Sequence, residues 1–154
     1  MVERIDPATL PGRPCSLAAA LEFIGDRWSL LVVREVSFGN RRFSQIARNT
    51  GAPRDRLAAR LRSLVEDGIL ERRTYQESPH REEYHLTDAG RDLAAVITAL
   101  LSWGDKWAVT TPPMRLRHKD HALEPVTWCA ACNERVHRDD VTRESLVPGW
   151  AIAA

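Results

Sequence analysis

The segment from Phe43 to Thr87 limits the fold of this chain more than any other. Two short helical patterns flank Thr50-Gly51-Ala52-Pro53, where glycine stops one helix and proline suits the first turn of the next. In the second pattern Leu57, Leu61 and Leu64 recur at i, i+4 and i+7. That spacing turns one stripe to a core and leaves the rest to solvent. Two alternating runs, 69–75 and 83–86, then read as an antiparallel pair around a turn containing Ser78-Pro79-His80. A second helix set at an angle by a short turn fits a DNA major groove, and a hairpin beside it can reach along the backbone.

Global charge gives no support for a polyanionic partner, with 22 Lys+Arg against 21 Asp+Glu. The local balance does. From Arg41 to Arg81 there are ten arginines and five acidic residues, and every cation in the window is arginine. Its planar fork pairs bidentately with phosphate or guanine edges. The competing view is that these arginines only solvate the outer faces of amphipathic helices.

A chain of 154 residues can bury one proper core, and 44% hydrophobic with 28% charged residues is ordinary for a globular protein. No apolar run approaches the roughly 20 residues of a membrane span. The start, MVERIDPATLPGRPC, has no signal-peptide pattern, and three cysteines do not make a secreted disulfide framework. The expectation is a cytoplasmic protein with no membrane partner.

Pro7, Pro11 and Pro14 mark residues 1–14 as a flexible arm. Helical spacing begins at Ser16 and stops at Gly25. Asp26 has the character of an N-cap for the apolar run RWSLLVVREVSF, and Gly39-Asn40 ends it. The helix-turn-helix takes about 43–49 and 54–67, with Gly68 as its breaker. Thr87 or Asp88 caps a long helix reaching about Trp107, with Leu93, Ile97, Leu100, Leu101 and Trp103 giving it more than one apolar face. Residues 15–108 thus form the main domain. Residues 109–154, with Pro112-Pro113, scattered histidines and a CxxC, form a separate C-terminal extension.

If 54–67 buries its leucine stripe and Val65, then Arg54, Asp55, Arg56 and Arg60 lie at or near the exposed N-terminal half, the part that reaches base edges. Arg62 faces phosphate or a neighbouring helix. Arg72, Arg73, His80 and Arg81 fall on the hairpin and its base, where phosphate contacts set affinity and salt dependence.

The chain resembles the HxlR-type winged helix-turn-helix transcriptional regulators, relatives of the MarR group. The likeness runs over roughly residues 13–107. It is carried by Cys15, Ile24-Gly25-Asp26-Arg27-Trp28-Ser29-Leu30-Leu31, Val33-Arg34-Glu35 and Arg41-Arg42-Phe43-Ser44-Gln45-Ile46. It continues in Leu57-Ala58-Ala59-Arg60-Leu61-Arg62-Ser63-Leu64, Asp67-Gly68, Arg72, Tyr75, Pro79, Tyr84-His85-Leu86-Thr87, Gly90 and Trp103-Gly104. The resemblance implies a mainly α fold with a small antiparallel β-wing, dimerising through its terminal helices and carrying the C-terminal extension. It implies a homodimer on double-stranded operator DNA, acting as a repressor, with Arg41, Arg42 and Ser44 added to the contact set. It also implies that the core needs no cofactor. Ser16, Ala58 and Glu82 depart from the family pattern: Ser16 leaves redox sensing open, and Ala58 means that operator sequence does not carry over from relatives.

Some regulators of this kind sense oxidants or reactive aldehydes at the N-terminal cysteine. Cys15 stands before a helix, whose N-terminus favours thiolate; the other reading is a buried, inert thiol. Trp28, Trp103 and Trp107 either line an effector pocket or only pack core and interface. The extension holds His118-x2-His121-x7-Cys129-x2-Cys132, two ligand pairs of the type a tetrahedral zinc site uses, with His137 as a substitute. Structural zinc, a CxxC redox pair and incidental residues all remain open. A cysteine near position 121 in related extensions suggests that His121 replaces a ligand. There is no phosphate-binding glycine loop and no nucleophile elbow, so the expectation is no enzyme. The alternative function is a ligand- or redox-sensing module whose DNA binding is secondary.

Overall fold

The computed structural model describes residues 1–78 and 80–148. Pro79 of the expected hairpin turn and residues 149–154 lie outside the described residues. Two compact units result, Met1–Ile97 and Thr98–Ala154, so the division falls within the last long helix rather than at residue 108.

The first unit holds helices α1 (Ser16–Ile24), α2 (Arg27–Ser37), α3 (Phe43–Thr50) and α4 (Arg54–Glu66), then strands β1 (Leu70–Gln76) and β2 (Arg81–Leu86). Asp26 caps α2 as expected, its Oδ1 accepting from the Trp28 N–H at 2.7 Å. Gln45 reaches back to the Arg42 N–H at 3.0 Å and so holds the start of α3. Gly51 then takes a left-handed φ of 68°, which lets the chain turn sharply into α4. Pro53 sits at the N-cap of α4, one residue before its first turn, with its carbonyl accepting from the Leu57 N–H at 2.8 Å.

Val32 and Val33 from α2, Ile46 from α3, Leu57, Leu61 and Leu64 from α4 and Leu70 from β1 make a fully buried core. The leucine stripe read from spacing is therefore the face that α4 buries. A polar hub lies beside it. Glu35, almost fully buried, accepts from Arg34 Nη2 at 2.7 Å, Asn40 Nδ2 at 2.8 Å and Asn49 Nδ2 at 2.8 Å. It links α2 to the end of α3 and to the turn between them.

β1 and β2 pair antiparallel from Leu70↔Leu86 to Gln76↔Arg81, with a bulge between Thr74 and Gln76. β2 begins two residues earlier than the alternation suggests, because Arg81 and Glu82 join the ladder despite their polarity. Arg41 adds a third line of contact, its carbonyl accepting from the Tyr84 N–H at 2.9 Å. At the base of the hairpin the Thr87 hydroxyl donates to the Gly68 carbonyl at 2.6 Å and accepts from the Gly90 N–H at 3.2 Å. Thr87 therefore starts α5 (Asp88–Trp107). A Cβ on Gly90 would stand 2.3 Å from the Ile69 carbonyl oxygen, so only glycine allows this helix so close to the hairpin.

Residues 1–14 contain one 3-10 turn, Pro7–Thr9, capped by Asp6. In the second unit two small hairpins follow the last turns of α5: β3 (Arg117–His118) with β4 (His121–Ala122), and β5 (Trp128–Cys129) with β6 (Glu134–Arg135).

Candidate nucleic-acid interface

Burial of Leu57, Leu61 and Leu64 decides what α4 can present. Arg54, Asp55 and Arg56 are exposed in its first turn, with Ala58 and Ala59 following on the outer surface. Arg54 lies flat over the Phe43 ring at 5.0 Å, a stacking contact that aims it along the junction of α3 and α4. Arg60, which the sequence analysis assigns to the groove, is partly exposed, and its Nε lies 3.3 Å from Asp26 Oδ1, the carboxylate oxygen that caps α2. Its angular position, one residue before Leu61, sets it at the edge of the buried stripe. Arg62 is exposed. With Arg72, Tyr84, Phe43, Ala58, Leu61 and Glu66 it lines a cleft of about 310 Å³ between α4 and the hairpin.

The hairpin arginines are held by its own glutamates. Arg72 pairs with Glu82 at 3.3 Å, Arg73 Nε with Glu71 at 2.7 Å, and Arg42 Nε with Glu83 at 3.0 Å while stacking on Tyr75. Each pair is surface-exposed to a large degree, so a phosphate can replace the carboxylate at small cost. Arg56, Arg62 and Arg81 have no ion pair among the described residues. Ser44 is exposed in the first turn of α3, and His80 is exposed with its Nε2 3.7 Å from Glu82. Arg41 is also exposed and lines a separate cleft with Arg73. Arg60 apart, helix, turn, helix and two-stranded wing thus carry these arginines on exposed surfaces.

Residues 23–112 match the HxlR-like helix-turn-helix family. The chain belongs to that family. An uncharacterised HTH-type transcriptional regulator of Mycobacterium tuberculosis is 48% identical over 134 residues, covering 84% of each chain. Among solved structures, PA1607, a candidate transcription factor, superposes with a TM-score of 0.76 at 34% identity, covering 86% of this chain and 95% of its own. The redox regulator HypR in its oxidised form gives 0.57 at 30% identity, covering 62% of this chain and all of its own. The fold is the winged helix-turn-helix of these transcriptional regulators.

Elsewhere in this HxlR-like regulator, Cys15 is exposed at the N-cap of α1, which removes the reading of a buried, inert thiol. The backbone amides of Ala18 and Leu17, and to a lesser degree the charge of Arg13, hold its thiol below the ordinary value. Trp28 is half-buried in the first unit, with the Arg27 guanidinium 4.9 Å from its ring. Trp103 and Trp107 belong to the second unit and are 61% and 66% exposed, so packing within the chain does not account for them.

The extension brings its ligand types together in pairs only. His118 and His121 face each other across β3–β4, rings 5.5 Å apart. Cys129 ends β5 and Cys132 lies in the β5–β6 turn, where Asn133 takes the left-handed φ of 58° expected of a knuckle. Backbone amides of Cys132 and Ala131 lower the Cys129 thiol pKa. Among the described residues no three histidine, cysteine or acidic side chains converge as metal ligands, and His137 joins neither pair.

One role had no clear signal in the sequence. Glu35 reads as an ordinary charged residue of an amphipathic helix, yet it is the buried anchor of α3. Asn40 and Asn49, the residues that reveal it, are fourteen positions or fewer away but belong to other elements.

Proposed function

We propose that the chain is a homodimeric repressor that binds a duplex operator and releases it in response to a small-molecule effector or to thiol or aldehyde stress. The observation that carries this reading is the exposed Arg54-Asp55-Arg56 turn of α4, directly ahead of a leucine stripe that is fully buried. The N-terminal part of a recognition helix is where base edges are reached. Arg54, Asp55 and Arg56 therefore read the groove. Arg41, Arg42, Ser44, Arg72, Arg73, His80 and Arg81 contact phosphates, and Arg60 positions α4 through Asp26 rather than reading bases itself.

Exposed apolar side chains on the terminal helices support the dimer. Leu17 and Leu21 stand out from α1, and Val96, Leu100, Trp103 and Trp107 follow one another at spacings of four, three and four along α5. Exposed stripes of this kind mark association surfaces. The exposed thiol of Cys15 and the likeness to HypR, a redox regulator, support thiol control.

Fluorescence anisotropy with the duplex immediately upstream of the gene tests the reading. Log affinity falls against log salt with a slope of roughly −0.9 for each phosphate neutralised. Arg56→Ala weakens binding and alters sequence preference. Binding that is equally weak on every duplex, at low as well as high salt, would remove the operator reading.

A further inference from the structure

A recess of the first unit lined by basic side chains has no α4 residue in its lining. A cleft of about 300 Å³ is lined by Val36, Ser37, Arg41, Arg73, His85, Leu86 and Arg91, with no acidic residue among its lining. It is formed by the end of α2, the Arg41 segment, both wing strands and the first turn of α5.

The fold places each basic group at the recess. The Arg41 carbonyl accepts from the Tyr84 N–H at 2.9 Å, which ties its backbone to β2, and its guanidinium has no ion pair among the described residues. Arg73 gives Nε and one terminal nitrogen to Glu71. Arg91 donates Nη1 to the Leu86 carbonyl at 2.7 Å and Nη2 to Asp88. Both therefore retain N–H groups on their other edges. His85 is mostly buried beneath them, with Glu83 3.8 Å from its Nε2, and Arg42 already occupies that glutamate at 3.0 Å. Burial, then the charges of Arg41 and Arg73, favour the neutral ring. Three guanidinium groups and one imidazole thus share a recess whose neutralising carboxylates lie outside it.

We propose that this cleft binds a phosphate group. Arginine forks match a tetrahedral oxyanion in geometry and charge, and such hydrogen bonds are about twice as strong as neutral ones. The phosphate comes either from a small free anion or from a DNA backbone, and only the second source rests on the operator reading. Because Arg91 begins α5 while Arg73 and His85 belong to the wing, occupancy ties the wing to the last helix.

Titration of the full chain with inorganic phosphate at constant ionic strength, followed by the His85 ring resonances, tests this. Saturable shifts are expected, weakened about tenfold by Arg41→Ala and by Arg91→Gln. They persist unchanged in Arg48→Ala, which removes an exposed α3 charge outside the cleft. Shifts that never saturate, or that are equal in Arg41→Ala and Arg48→Ala, overturn the proposal. With a short duplex added, displacement of phosphate identifies the backbone as the source, and simultaneous binding identifies a free anion. If phosphate saturates while no duplex binds, the operator reading falls and the cleft stands.

Discussion

Arg60 of the recognition helix is ion-paired with Asp26, its Nε 3.3 Å from the carboxylate oxygen that also accepts the Trp28 N–H. One oxygen thus caps α2 and ties α4 to it. The arginine that spacing assigns to the groove also meets the start of α2. Asp26→Ala should cost about 1 kcal/mol as a lost N-cap. A double-mutant cycle with Arg60→Ala in urea should give a coupling of about 0.2–1 kcal/mol, since the pair is partly exposed. Strict additivity would show that the contact does not tie the helices.

Glu35→Ala should be far more damaging. It leaves Arg34, Asn40 and Asn49 facing a buried gap, and removing one side of a buried charged network costs about 3 kcal/mol. Asn49→Ala removes one contact and should cost about 1 kcal/mol. Urea midpoints in the same order of damage would confirm the hub.

Stability should also respond to His85. Its folded pKa is lowered, mainly by burial, so the folded chain prefers the neutral ring. The contribution is fully present above the unfolded value of about 6.5 and is lost as pH falls through it toward the lower folded value. Chemical denaturation between about pH 7.5 and 5 should show a smaller decline in His85→Asn than in the parent chain. An unchanged slope would mean that other groups set the acid sensitivity.

Cys15 should alkylate with iodoacetamide at a rate whose pH midpoint lies below that of an unperturbed thiol such as free cysteine in an unstructured peptide, measured alongside. The measurement belongs in the Cys129→Ser/Cys132→Ser background, because Cys129 also has a lowered thiol pKa. Arg13→Ala should raise the midpoint slightly, since that charge ranks behind the amides of Ala18 and Leu17.

Leu100→Asp tests the association surface. The side chain is 49% exposed, so folding should change by no more than about 0.5 kcal/mol. Sedimentation velocity should report a dimer for the parent chain and a monomer for the variant, with DNA affinity falling in step; equal sedimentation of the two would remove this surface as the interface.

The sequence by itself determined the element order, because the signals for it are local. Leucines at i, i+4 and i+7 can face a core only from a helix, Gly51 marks the left-handed turn, and alternating residues after Gly68 require a hairpin. The run of motifs from Ile24 to Gly104 was enough to point to the family. Tertiary structure alone decided which arginines are available. Arg60 and Arg62 are two positions apart, yet one meets Asp26 and the other faces the cleft beside the wing. Glu35 was hidden for the same reason, since its partners come from separate elements. In the extension, ligand spacing was legible, but whether the two pairs meet depends on hairpins fixed by turns at Lys119 and Asn133. Spacing along a chain sets which face of an element a residue occupies; what that face meets is set by packing between elements far apart in sequence.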